Sequence, residues 1–383
     1  MNHRLRRRLT SVGHGRREEA TKVSMLNGLH FDTIDPMASR GTRPIPADER
    51  ATLEAAVGGD EAAFRDLVEP YRAGLHAHCY QMLASIEDAE DALQDALLKA
   101  WTRLGQFEGR ASVRTWLYTI ATRSALDLAS RRPMRMLPLD GGFEPGAVEA
   151  GLPLTETLWI EPYPADQLGL ASGLASPEAR VELRESVELA FIAAVQHLAP
   201  RQRATLLLRE VLGFSAHETA AMLGTTAVAV NSALERARAT VALHCPDPSQ
   251  QVNLRSLGDA RIHDLVVRYV DALERADLDG LLGLLVEDAS WAMPPTPEYY
   301  RGHEAIAQFL EETPFAVRWR HLPARASGQV AVGCYLWDES VGRYTAEVMD
   351  VLTLRGPRIS GVIAFGPADI FPRFGLPLEL PAE

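Results

Sequence analysis

Lysine is almost missing from this 383-residue chain. Lys22 and Lys99 are its only two, and arginine carries the rest of the positive charge. Positive charge is itself the minority, 39 basic against 51 acidic residues, for a formal net charge of −12. That balance excludes a protein that coats nucleic acid by bulk attraction, although it leaves room for a local basic face. Cysteine is scarce too. Cys79, Cys245 and Cys334 lie far apart with no CxxC pair, so neither a metal site nor a disulfide framework is expected, and the reducing cytoplasm is the expected compartment. No apolar run reaches the ~18 residues that a membrane helix needs, so no membrane partner is expected. The basic start MNHRLRRRLT has no apolar stretch behind it, which argues against a secretory signal. Apolar residues at 46% and charged residues at 23% are ordinary for folded protein and exclude wholesale disorder. The length suggests two or three domains.

Residues 1–51 mix Arg, Gly, Ser and Pro with little periodicity and read as a mobile tail, with a phosphate-binding arm as the sharper alternative. Residues 52–135 are helical in pattern. Glu61–Leu83 carries Phe64, Leu67, Val68, Tyr71, Leu75 and Tyr80 at helical steps. Ser85 and Asp88 have capping-box spacing before the stripe Ala89, Leu93, Leu97, Ala100 and Leu104. A third helix runs from Ser112 to about Ser130, and Pro133 stops it. Residues 136–176 form an acidic, Gly- and Pro-rich linker with no basic residue, in which Leu158–Tyr163 reads as a short docking element. Helices resume at Ser176-Pro177 and continue to 245. A short connection with two prolines leads to a mixed stretch, 256–377. Helices are expected there at His263–Val286 and Gly302–Glu312, then strands at Gln329–Trp337, Tyr344–Leu354 and Ile359–Phe365, an α+β order.

The strongest local pattern is Phe214–Val241. Ser215 and Glu218 are spaced as a capping box, Gly224 suits a left-handed helix end, and Thr225 or Thr226 caps the next helix. Val230, Leu234, Ala237 and Val241 make a buried stripe, leaving Asn231, Ser232, Glu235 and Arg236 on the other face. A recognition helix needs this arrangement, because its first side chains reach base edges in the major groove. An ordinary helical hairpin with a solvated face fits the same residues. In the first helical block, Glu87, Asp91, Gln94, Asp95 and Leu98 face away from the core, as a docking stripe or as a solvated surface with an Asp95–Lys99 pair. Arg114, Tyr118 and Thr122 share one side of the third helix, with Arg131 and Arg132 near its end. Basic groups beside aromatic rings suit single-stranded nucleic acid, whereas Trp116 falls with Ile120 on the apolar side.

The runs EDAEDALQDALLKAW, FEGRASVRTWLYTIATRSALD and SAHETAAMLGTTAVAVNSALERAR together resemble the extracytoplasmic-function group of sigma-70 RNA polymerase sigma factors, over about residues 52–245. The resemblance implies two all-α sigma domains: a region 2 bundle at 52–135 and a region 4 helix-turn-helix at 177–245. It implies that Glu90, Asp91, Gln94 and Asp95 meet core RNA polymerase. It implies −10 promoter DNA at Phe107, Arg110, Ser112, Arg114, Tyr118 and Thr122, with the loop Phe107–Val113 capturing a flipped base. It implies −35 DNA at Thr226, Asn231, Ser232, Glu235 and Arg236. Glu235 is an acid where bases or aromatics are also common; it can accept from a cytosine amine. The acidic linker fits channels later used by nucleic acid.

Residues 256–377, rich in Trp291, Tyr299, Tyr300, Phe309, Trp319, Tyr335 and Trp337, resemble the SnoaL-like cone-shaped α+β domains, whose relatives include polyketide cyclases and ketosteroid-isomerase-like enzymes. The chain looks like the subset of these sigma factors that carries such an extension, thought to tune activity in place of a separate anti-sigma protein. Such folds enclose a pocket, so an unidentified small ligand is a candidate partner. Asp288, Asp338, Glu347, Asp350, His263 and His303 are catalytic candidates by type only. Asp350 alternates with Val348 and Leu352 and is placed to point inward. No catalytic dyad is readable and no cofactor is expected, so the primary expectation is a non-enzymatic initiation factor. A cyclase- or isomerase-type enzyme fused to a DNA-binding part is the alternative, and a dimeric repressor the second.

Overall fold

The computed structural model of the chain describes residues 47–138, 159–164, 184–245, 248–296, 299–312, 314–366 and 368–382. The arm before residue 47, most of the acidic linker and the Ser176-Pro177 helix start lie outside the described residues.

Four helices open the described chain: α1 (Ala47–Val57), α2 (Glu61–Leu83), α3 (Ile86–Arg103) and α4 (Val113–Ala129). α1 begins ahead of Thr52, inside the stretch expected to be a tail. Each later helix starts on a short polar side chain. Asp60 accepts from the N–H groups of Ala62 and Ala63, Ser85 from Asp88 at 3.2 Å, and Ser112 from Thr115 at 3.1 Å; each satisfies donors that a helix start leaves unpaired. The expected box at Ser85 forms by half. The Asp88 carboxylate turns instead to Arg135 at 2.7 Å and Arg132 at 3.4 Å.

A second helical unit follows: α5 (Leu189–Gln196), α6 (Pro200–Leu206), a π turn (Leu207–Val211), α7 (Ala216–Leu223) and α8 (Ala227–His244). At α7 the capping box is complete: Ser215 accepts from the Glu218 N–H at 3.2 Å, and Glu218 accepts from the Ser215 N–H at 2.9 Å. Gly224 ends α7 at φ 63°, a conformation that a side chain disfavours. Thr226, of the two threonines, caps α8. Val230, Leu234, Ala237 and Val241 are buried as their spacing requires.

The C-terminal part comprises α9 (Gln250–Leu257), α10 (Asp259–Glu274), α11 (Leu278–Leu284), β1 (Leu285–Ala292), β2 (Tyr299–Arg301), α12 (Gly302–Glu312), β3 (Trp319–Ala326), β4 (Gln329–Asp338), β5 (Arg343–Arg355), β6 (Arg358–Phe365), a 3-10 segment (Ala368–Phe374) and β7 (Glu379–Leu380). The single helix expected over His263–Val286 is instead two helices and the start of a strand. The backbone turns at Ala276 (φ 52°), Asp277 caps α11 through the Gly280 N–H, and Val286 already lies in β1. The connection before residue 256 holds helix α9, started by Ser249.

The sheet order is β2-β1-β6-β5-β4-β3, with β7 pairing β5. β1 and β6 are parallel, and the other neighbours antiparallel. β3 is an edge strand, the position that tolerates its Pro323. Side chains alternate between two buried faces, the period-2 consequence of a strand. Val332, Leu352 and Val362 pack with Leu254, Tyr269, Trp291 and Phe309 under the helices. Ala331, Val351 and Ile363 share the other core with Ile160, Tyr163, Phe371 and the helices of the first unit. One face of the sheet is therefore closed by the domain's own helices, and the other by a core continuous with the N-terminal part of the chain.

Candidate functional site

The piece of linker expected to dock does so. Residues Trp159–Pro164 run between the first helical unit and the sheet. Toward the helices, Tyr80 donates to the Glu161 carbonyl at 2.7 Å, the Ile86 N–H donates to the Glu161 carboxylate at 2.8 Å, and His76 Nδ1 lies 2.8 Å from the Tyr163 hydroxyl. Toward the sheet domain, Trp159 Nε1 donates to the Pro295 carbonyl at 2.7 Å, and Tyr163 and Ser327 exchange two bonds. Burial, then Arg373 and Arg72, push the His76 imidazole down to about 4, so it sits neutral in this joint.

On α3, Asp91, Gln94 and Asp95 are exposed beside Leu98, which is 63% exposed. They form one stripe, as the helical spacing requires. Asp95 pairs with Lys99 at 2.6 Å. Glu90 differs from the other three. It is half-buried, and its carboxylate meets Arg373 of the C-terminal 3-10 segment at 3.1 Å. The segment is anchored by Phe371, fully buried edge-on against Tyr335 at 5.3 Å between ring centres.

The residues expected at −10 DNA divide into two sets. Phe107, Arg110 and Ser112 lie in the turn before α4. Phe107 packs on Trp116 at 5.2 Å, Arg110 pairs with Glu108, and Ser112 is used as the cap. Arg114, Tyr118 and Thr122 are turned away from solvent. Arg114 donates to the Leu212 carbonyl at 2.8 Å and stands over the Phe214 ring at 4.3 Å. Tyr118 is 5% exposed and meets Phe214 edge-on at 5.6 Å. Thr122, expected on a nucleic-acid face, is a core group: it is fully buried, donates to the Tyr118 carbonyl at 2.7 Å and lies 2.9 Å from His78 Nε2. By sequence a hydroxyl on the Arg114 side of the helix reads as polar surface, but here it pairs with Nε2 of a buried imidazole. α4 is thus packed against the helix-turn-helix unit, with Arg123 also reaching the Met222 carbonyl at 3.4 Å.

The −35 candidates are open. Asn231, Ser232, Glu235 and Arg236 are all exposed on α8, while Thr226 caps its start.

The catalytic candidates do not assemble. Asp288 pairs with Arg355 on the surface, Asp338 holds a turn at Ser340, His263 and Glu347 are exposed, and His303 Nε2 meets the Val286 carbonyl. Asp350 does point inward: it is buried and accepts from Tyr269 at 2.8 Å, and burial raises the pKa of both groups. Among the described residues no group of His, Cys, Asp and Glu is placed to hold a metal ion, and no helix is long and apolar enough to cross a membrane.

Sequence reasoning missed the groups that join the parts. Glu188 is buried and accepts from the N–H groups of Gln250 at 3.0 Å and Gln251 at 2.8 Å, at the start of α9. The Gln250 side chain pairs in both directions with the Leu354 backbone. Burial raises the Glu188 carboxyl to about 7 against these bonds. A lone Glu and a pair of Gln carry no pattern, so only the fold reveals them.

Three family models match in chain order: Sigma-70 region 2 over residues 67–133, Sigma-70 region 4 over 188–241, and the SnoaL-like domain over 266–362. The chain is 40% identical over 340 residues to the ECF RNA polymerase sigma factor SigG of Mycobacterium tuberculosis, covering 88% of this chain and 87% of that protein. It is 32% identical to SigM of the same species over 203 residues, 53% of this chain and 87% of that one. The crystal structure of M. tuberculosis SigJ shares the fold, with a TM-score of 0.51 at 23% identity, over 81% of this chain and 98% of that one. Those relatives are sigma factors rather than enzymes. Two all-α sigma units followed by an α+β SnoaL-like domain are the architecture observed, and the chain belongs to the extracytoplasmic-function RNA polymerase sigma factors.

Proposed function

We propose that the protein docks on core RNA polymerase through the α3 stripe, reads the −10 element with the turn and face of α4, reads the −35 element with α8, and is restrained by its own SnoaL-like domain. The observation that carries the restraint is that part of the expected working surface meets other parts of the same chain. Glu90 is paired with Arg373 of the SnoaL-like domain, while Arg114 and Tyr118 are packed on Phe214 of the helix-turn-helix unit. Geometry supports the same reading. Elements about 25 base pairs apart are separated by roughly 85 Å of straight duplex at 3.4 Å per step. Two DNA-reading units joined by a 2.8 Å hydrogen bond between Arg114 and Leu212 do not span that distance. The form described is the closed one, and promoter binding requires α4 and the helix-turn-helix to part.

The C-terminal domain acts as a brake and not as a catalyst in this reading. Its inward carboxyl is bonded to Tyr269 within an apolar core. The experiment is promoter-fragment transcription with core polymerase and the full chain. Run-off transcripts absent with core alone support the initiation role, and more transcript from an Arg373→Glu chain supports the brake. No transcript from either chain, with turnover of a small carbonyl substrate, would overturn both.

A further inference from the structure

A cavity of about 350 Å³ lies in the seam between the two sigma units. That is within the usual size range for a small-molecule site. Its wall comes from both sides: Met82, Asp88, Arg132 and Arg135 from the first unit, and His197 and Arg203 from the second. Three guanidinium groups and one carboxylate, Asp88, therefore line it, and Arg135 also pairs with Glu161 outside the wall at 3.3 Å. Asp88 is shared, one oxygen to Arg135 and the other to Arg132. Arg203 is 5% exposed, and its hydrogen bonds go to the main-chain carbonyls of Met82, Val195, Gln196 and Leu198. Those acceptors are neutral, and among the described residues no ion pair is formed by Arg203. A buried charge without a counter-ion is unfavourable, and burial lowers the Arg203 pKa to about 10. Leu83, Pro133, Met134 and Pro200 supply apolar wall, Gln196 adds a polar group, and the His197 ring is stacked on His244 at 4.0 Å and 10°.

We propose that this cavity binds a small organic phosphate of the nucleoside phosphate class, whose anion supplies the counter-charge that Arg203 lacks and meets the half-exposed Arg132, and whose planar part lies on the apolar part of the wall. The class follows from the chemistry: guanidinium forks match phosphate oxygens, and the cavity is too small for duplex nucleic acid. A ligand held by residues of both units binds only while they are together, so it shifts the equilibrium toward the closed form. This regulatory consequence rests on the closed-form reading above; the binding itself does not.

The test is calorimetric titration of the full chain with AMP, ATP and adenosine at fixed ionic strength. At least one nucleotide is expected to saturate at one per chain, with adenosine at least tenfold weaker. Arg132→Ala, at a half-exposed position, is expected to weaken the nucleotide at least tenfold while leaving the circular dichroism unchanged. Absence of saturable nucleotide binding, equal binding of adenosine, or an unchanged affinity in Arg132→Ala overturns the proposal. If nucleotides fail to bind while Arg373→Glu still raises transcription, the anion site falls and the brake stands. If they bind while Arg373→Glu changes nothing, the site stands and the brake falls.

Discussion

Arg373 and Glu90, 283 positions apart in the chain, lie 3.1 Å from each other, Nη1 to Oε1. The pair joins the 3-10 segment Ala368–Phe374 of the C-terminal domain to the helix expected to meet polymerase. Both side chains are more than a third exposed, so the pair by itself contributes about 1 kcal/mol or less. Reversing the charge replaces attraction by repulsion at the same spot. Arg373→Glu is therefore expected to raise core-polymerase affinity a few-fold, measured by fluorescence anisotropy of the labelled chain. Lower affinity would place Arg373 on the polymerase side of the contact.

The α3 stripe carries a separate expectation. Asp91→Arg with Asp95→Arg should abolish co-purification with core polymerase and leave the helical circular dichroism intact, because both side chains face solvent. Normal co-purification would remove the stripe from the docking surface.

Phe214 is 2% exposed and is shared by Arg114 and Tyr118. Truncating a buried phenylalanine costs about 3–5 kcal/mol. Phe214→Ala should lower the melting temperature and, where the chain remains folded, increase protease access at α4. Unchanged stability would mean that the seam is not packed in solution.

Glu188 gives a pH signature. Its folded value, about 7, lies above its ordinary 4.5. Its contribution to stability is full below about 4.5 and is lost as pH rises through 7. The shift corresponds to something on the order of 3 kcal/mol. His76 and His78, held down to about 4 by burial, act oppositely: their contribution is full above 6.5 and is lost as pH falls through 4. The difference between Glu188→Gln and the parent isolates the carboxyl. Chemical denaturation should show the variant gaining relative stability from pH 4.5 to 7. A difference independent of pH would contradict the assignment.

Asn231 and Arg236 are exposed on the open face of α8. Replacing either by Ala should relax preference at one or two adjacent −35 positions by roughly 1–3 kcal/mol. A uniform loss across promoter variants, measured by competition binding, would mark a phosphate contact instead.

Local patterns were readable where one residue type does one job. Ser215 with Glu218, Gly224, and the stripe Val230–Val241 mark α7 and α8 without tertiary help. Leu158–Tyr163 reads as a short docking element within the acidic, Gly- and Pro-rich linker. Reading failed where the decisive partner is distant. Thr122 looks like surface until His78 is beside it, and Asp88 looks like half a box until Arg135 takes it. β3 hides behind Pro323 and the basic residues Arg320, His321 and Arg325, and α10 and α11 read as one helix because the positive φ at Ala276 has no glycine to signal it.

The central claim is that the free chain holds its two sigma units together and opens them on polymerase. Energy transfer between dyes placed at Glu54 on α1 and Leu243 on α8, both exposed, measures this directly. The account predicts one high-transfer population in the free chain and a low-transfer population once core polymerase is added. The same transfer in both states, or low transfer in the free chain, would contradict it.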